Sequence, residues 1–114
     1  MTTNNPENSD RELLELAAKA AGIDIFDWTP GGQPTTDGAY TGIWNPLYDD
    51  GDALRLAIKM GFNLSLPSSP NQVFVQVGER GSVPFALERI GGNPLSATRR
   101  AIVRAAAEMG RGKP

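Results

Sequence analysis

Near the start of the chain, Leu13, Leu14, Ala17, Ala18 and Ala21 recur at the spacing of one helix stripe. Ser9 with Glu12 three residues later forms a capping box ahead of that stripe, and Gly22 behind it suits a left-handed stop. A helix is therefore expected to open at Ser9 and close at Gly22. Its stripe is narrow and rich in alanine, which fits close packing on a sheet or another helix. From 23 to 28, Ile23 and Ile25 alternate with Asp24, Phe26 and Trp28, the mark of a short strand with mixed faces. Residues 29–38 hold three Gly and two Pro and read as a loop. Residues 39–44 suit a second short strand ending at Asn45-Pro46, where proline favours an extended Asn45.

A second helix follows the acidic run at 49–52, with Asp50 or Asp52 as N-cap, Lys59 in the last turn and Gly61 as the stop. Leu54, Ala57 and Ile58 are expected to face inward, with Met60 or Leu56 at the margin. The period then changes to two: Phe62, Leu64 and Leu66, then Val73, Val75 and Val77, then Val83, Phe85 and Leu87 alternate with their neighbours. Residues 67–71 and 78–81 are the turns, so three strands form an antiparallel meander. The last helix starts at Asn93-Pro94, buries Leu95, Thr98, Ile102, Ala105, Ala106 and Met109, and ends at Gly110. Arg100, Arg104 and Arg111 fall on its opposite side.

The order α-β-β-α-β-β-β-α predicts an α+β fold: a two-layer domain with a mostly antiparallel sheet of three to five strands and three helices. Residues 1–8 offer nothing apolar and read as a flexible tail, 9–110 as a single domain and 111–114 as a C-terminal tail. An echo links Asn45-Pro46-Leu47, leading to Met60-Gly61, with Asn93-Pro94-Leu95, leading to Met109-Gly110. Cap chemistry accounts for both halves as well as a duplication does.

Composition narrows the chemistry. The 114 residues are 39% apolar and contain neither Cys nor His. That removes thiol nucleophiles, disulfides, Cys/His zinc sites and imidazole bases. Burial must hold the fold. The formal charge of -2 conceals an asymmetry: residues 23–52 carry six Asp and no Lys or Arg, whereas 99–114 carry Arg99, Arg100, Arg104, Arg111 and Lys113 against Glu108 alone. The first ten residues lack the basic start and apolar stretch of a signal peptide, and no apolar run is long enough to span a bilayer, so a cytoplasmic location without a membrane partner is expected.

Five of the eight aromatic residues, Phe26, Trp28, Tyr40, Trp44 and Tyr48, fall in the acidic region. Rigid aromatics beside charge are the composition of a protein interface, which makes Tyr40, Trp44, Tyr48, Asp49 and Asp50 the candidate partner-binding residues. Trp44 equally suits the core, packed against the second helix. Asp49, Asp50 and Asp52 are the residue type for a hard cation, but the run lacks the Gly and the closing Glu of a calcium loop, and helix capping explains it. No metal and no cofactor is expected. Arg99, Arg100, Arg104 and Arg111 form a basic helical end able to meet phosphates, which makes nucleic-acid or nucleotide binding the alternative function. The glycines follow no phosphate-binding pattern, and no spacing of carboxylates or Ser/Lys marks an active site, so no enzymatic activity is expected.

Three helical blocks, RELLELAAKAAG at 11–22, WNPLYDDGDALRLAIKMG at 44–61 and ATRRAIVRAAAEMGR at 97–111, resemble short phage and prophage proteins akin to the NinX-like phage proteins. Within that group the helical blocks are alike while the parts corresponding to 23–43 and 62–92 vary. The resemblance implies a phage origin and a shared scaffold, and it carries no site residues. It points to a non-enzymatic accessory protein of the bacterial host cytoplasm that binds a host protein, with a defence or regulatory system as target class. A metal-dependent enzyme on Asp49, Asp50 and Asp52 is the remaining alternative. Leu13 and Leu16 suit either the chain's own sheet or a second copy, which leaves monomer and homodimer both open.

Overall fold

The computed structural model describes residues 6–36, 42–65, 72–76, 85–89 and 93–112. The first helix, α1, runs from Pro6 to Ala21. It opens three residues before the expected Ser9, so Ser9 lies inside the helix rather than ahead of it. Pro6, with its fixed φ and missing N–H, is suited to the first helical position. At the other end the expected stop holds: Gly22 sits at φ 73, Ile23 N–H donates to Ala18 O at 2.9 Å, and Gly22 N–H donates to Lys19 O at 3.3 Å. That paired arrangement closes the last carbonyls.

The strand expected over 23–28 is confined to β1 (Asp27–Trp28), which pairs antiparallel with β2 (Pro34–Thr35). β2 falls in the segment read as loop. The intervening turn closes through Thr29 N–H to Gln33 O at 2.8 Å and Gln33 N–H to Thr29 Oγ1 at 3.1 Å. Of the expected strand at 39–44, residues 42–44 lie beside β2: Thr36 N–H donates to Gly42 O, Ile43 bridges Thr35, and Trp44 N–H donates to Pro34 O. Residues 39–41 lie outside the described residues. Directly opposed residues share a face, so Trp28, Pro34 and Trp44 line one side of this ladder.

Helix α2 spans Asp50–Met60. Its N-cap is Asp49 rather than Asp50 or Asp52, and the Asp49 carboxylate accepts from Asp52 N–H at 2.7 Å. Gly61 ends it at φ 71, where a side chain would be strained. The buried side is Ala53, Leu56 and Ala57, while Leu54 and Ile58 are 55% and 70% exposed. The inward face expected from Leu54 and Ile58 is therefore rotated. Strands β3 (Asn63–Ser65), β4 (Gln72–Gln76) and β5 (Phe85–Arg89) follow, with Leu64 opposite Val75 and Val75 opposite Ala86. The turns expected at 67–71 and 78–81 lie outside the described residues.

Helix α3 spans Pro94–Arg111, with Asn93 as N-cap accepting from Leu95 and Ser96 N–H. It packs against α1, α2, β4 and β5. Ala97, Ala101, Ile102, Val103, Ala105, Ala106, Ala107 and Gly110 are all buried, which is most of its circumference. The expectation of one buried stripe is too narrow, because small side chains let neighbours approach from several sides at once. Leu95, expected in that stripe, is 60% exposed. Gly110 does not end the helix. It lies within it, and a Cβ there overlaps the carbonyl oxygen of Leu16 and stands 2.9 Å from the carbonyl carbon. The class is α+β, with three helices and antiparallel strand pairs among the described residues. α3 packs both on α1 and on the β4–β5 pair, so it joins the first helix to the strands. Among the described residues, no helix is long and apolar enough to cross a membrane.

Candidate functional site

Asn45 organises the acidic, aromatic segment. It is 3% exposed, a polar residue in the core, and every polar group on it is engaged. Its N–H donates to Asp52 Oδ2 at 2.9 Å, its Nδ2 to Gln33 Oε1 at 3.1 Å, and its Oδ1 accepts from Leu47 N–H at 3.1 Å. Its carbonyl accepts from Tyr48 and Asp49 N–H at 3.0 and 2.8 Å. These bonds fix a tight turn in which Pro46 and Leu47 point into the core and Tyr48, 71% exposed, points out. The side-chain bond from Oδ1 to the N–H two residues on recurs at Asn93, as does the backbone bond to the Asn carbonyl from the N–H four residues on.

A second tie comes from α3. Arg99 Nε donates to Leu47 O at 2.9 Å and its Nη1 pairs with Asp50 Oδ1 at 2.6 Å. The Arg99 side chain is only 15% exposed. The acidic segment and the basic helix thus meet inside one molecule, which accounts for much of the charge asymmetry.

Beside Tyr48 opens a cleft of about 300 Å³, lined by Asp10, Arg11 and Leu14 of α1, Gly31, Gly32 and Gln33 of the β1–β2 turn, and Asn45, Leu47 and Tyr48. Arg11 does not fill it with free charge. Its guanidinium lies 4.2 Å from the Trp28 ring centroid and its Nε is 3.5 Å from Glu15 Oε2. Asp10 pairs with Arg100 at 2.9 Å.

Of the expected partner-binding residues, Tyr48 stands at the cleft and Asp49 and Asp50 follow it, their side chains 59% and 62% exposed. Trp44 does not belong with them. At 9% exposure it is in the core cluster with Leu56 and Ala57 of α2, because its place opposite Pro34 turns the indole inward. Tyr40 lies outside the described residues. Asp49 caps a backbone N–H and lies 3.9 Å from Arg55, Asp50 pairs with Arg99, and Asp52 accepts from Asn45 N–H and Arg55. No group of three carboxylates that converges as metal ligands occurs among the described residues.

The arginines expected to meet phosphates are engaged inside the molecule. Arg99 holds Asp50, Arg100 holds Asp10, and Arg111 holds Glu108 at 3.0 Å and Glu12 at 3.6 Å. Arg104 is on the exposed strip of α3. Sequence reasoning missed Asp10, Arg11, Gln33 and Asn45 as parts of one site. Asn45-Pro46 carried a turn signal, but the 12-residue step from Gln33 to Asn45 has no periodic signature. The chain matches no protein-family model, no curated protein and no solved structure.

Proposed function

We propose that this is a non-enzymatic binding protein that engages a protein partner through the cleft beside Tyr48. The supporting observation is a large aromatic side chain, 71% exposed, held on a turn that Asn45 and Arg99 have already locked. An anchor whose backbone is fixed before binding loses little entropy on association, and aromatic anchors of this kind dominate interface energies. Commitment of Arg99, Arg100 and Arg111 to carboxylates favours this reading over phosphate recognition. Following the resemblance to short phage proteins, the partner is a protein of the bacterial host and the setting is phage accessory function, with a defence or regulatory component as target class. The finer topology that accompanies this reading is a three-stranded meander, β3-β4-β5, backed by α3, with the β1–β2 ladder as a separate unit that builds the cleft.

The test places a photo-crosslinking phenylalanine analogue at position 48 and irradiates the protein in host cells. One host protein crosslinked at 48, and absent when the analogue stands at exposed Leu54, is the expected result. Equal, diffuse crosslinking from both positions would remove the cleft from consideration.

A further inference from the structure

The surroundings of Tyr48 also specify the chemistry of what docks there, on the premise that Tyr48 is an anchor. Residues 10–52, which include all the described residues that line the cleft, contain nine carboxylates against Arg11 and Lys19. Arg55, Arg99, Arg100 and Arg111 reach onto this region from elsewhere in the chain. Even with Arg104 counted among them, negative charge remains in excess. The carboxylates beside the anchor are accessible, since Asp49 and Asp50 remain more than half exposed although each has an arginine neighbour. Arg11, the one cation among the described residues of the cleft lining, is turned to Trp28 and Glu15.

The molecule already displays the pairing chemistry that such a surface offers. Arg11 lies over an indole, and Arg99 joins a carboxylate to a backbone carbonyl. Guanidinium is suited to both contacts because it is planar, weakly hydrated and always charged. The exposed Tyr48 ring and the half-exposed carboxylates that follow it present the same two kinds of group on the outside, where a second guanidinium can reach them.

We infer that the cleft docks an arginine-bearing, cationic segment of the partner protein, with one guanidinium laid on the Tyr48 ring and its charge met by the neighbouring carboxylates. Leu14 and Leu47 give the aliphatic stem of that side chain an apolar wall.

The experiment titrates the isotope-labelled full chain with a nona-arginine peptide, with nona-glutamate as counterpart, and follows backbone amide shifts. Nona-arginine is expected to move the amides of Leu14, Gly31, Gly32, Gln33 and Tyr48 together. Tyr48→Ala and Asp49→Asn, the latter keeping the N-cap, are each expected to weaken binding roughly fivefold, and Leu54→Ala to leave it unchanged. No shift with nona-arginine, shifts spread over the surface, or the same amides moved by nona-glutamate would overturn the inference. A host protein crosslinked at position 48 whose binding ignores Asp49→Asn would overturn it too while leaving the protein-binding reading intact. Absence of crosslinking at 48 together with a cleft-specific nona-arginine response would overturn the host-protein reading, and with it the partner segment, while supporting the cleft's affinity for guanidinium.

Discussion

Arg99 shows how much one side chain can settle. It is the tie from α3 to both the turn that carries Tyr48 and the first turn of α2, and its burial sets it apart from its neighbour in sequence. Replacing it leaves the Leu47 carbonyl without its donor and Asp50 without its cation. Arg99→Met should cost about 1.5–3 kcal/mol in denaturant unfolding, the range for hydrogen bonds to charged groups. The Arg100–Asp10 pair is more than a third exposed, and Arg100→Ala should cost under about 1 kcal/mol. Equal losses at the two positions would show that burial does not separate them. Gly110 is decisive for a different reason, since a single methyl there meets the backbone of Leu16 rather than a movable side chain. Gly110→Ala should therefore destabilise by about 1–3 kcal/mol despite its better helix propensity, measured as a fall in Tm.

Within elements, α2 separates what a hydrophobic pattern reveals from what packing decides. Its limits were legible: an acidic start, a basic last turn and a terminal glycine all lie where helix chemistry wants them. Its orientation was not. Leu54, Leu56 and Ile58 are apolar on both sides of the helix, and size alone favours the face with Leu54 and Ile58. The neighbour is α3, whose alanine surface admits close approach, and the face with Ala53 and Ala57 fits it better. Leu56→Ala should accordingly cost about 2–4 kcal/mol, whereas Leu54→Ala and Ile58→Ala should each stay within about 0.5 kcal/mol. The opposite ranking in chemical denaturation would restore the other face. α3 carries the same lesson: its N-cap was readable, but a helix with eight buried positions cannot be told from a one-sided helix when most of those positions are alanine. Alanine is compatible with either side of a surface.

For the molecule as a whole, the ion pairs decide what the charge asymmetry means. An acidic segment and a basic helix invite the idea of two external partners. Contacts between Arg99 and Asp50, Arg100 and Asp10, and Arg111 and Glu12 instead turn much of that charge inward. A fluorescently labelled DNA duplex titrated at low salt should give a flat anisotropy curve. Binding that weakens steeply with added salt would favour the phosphate reading instead. The cleft was legible only in part. Tyr48, Asp49 and Asp50 stood out by composition, while Asp10 and Gln33 entered the site through tertiary approach that no local pattern encodes.

The close seam at Gly110 and Leu16 also has a temporal side. Asp10 and Arg100, joined across that same pair of helices, are 90 positions apart in the chain. At a synthesis rate of roughly 5–20 residues per second, α1 leaves the ribosome on the order of 5–20 seconds before the helix that covers it exists. For that interval Leu14, Ala17 and Ala21 have no α3 to meet, so assembly of the core waits for α3 to be synthesised and the nascent chain is at its most vulnerable to chaperone capture or aggregation until that helix emerges.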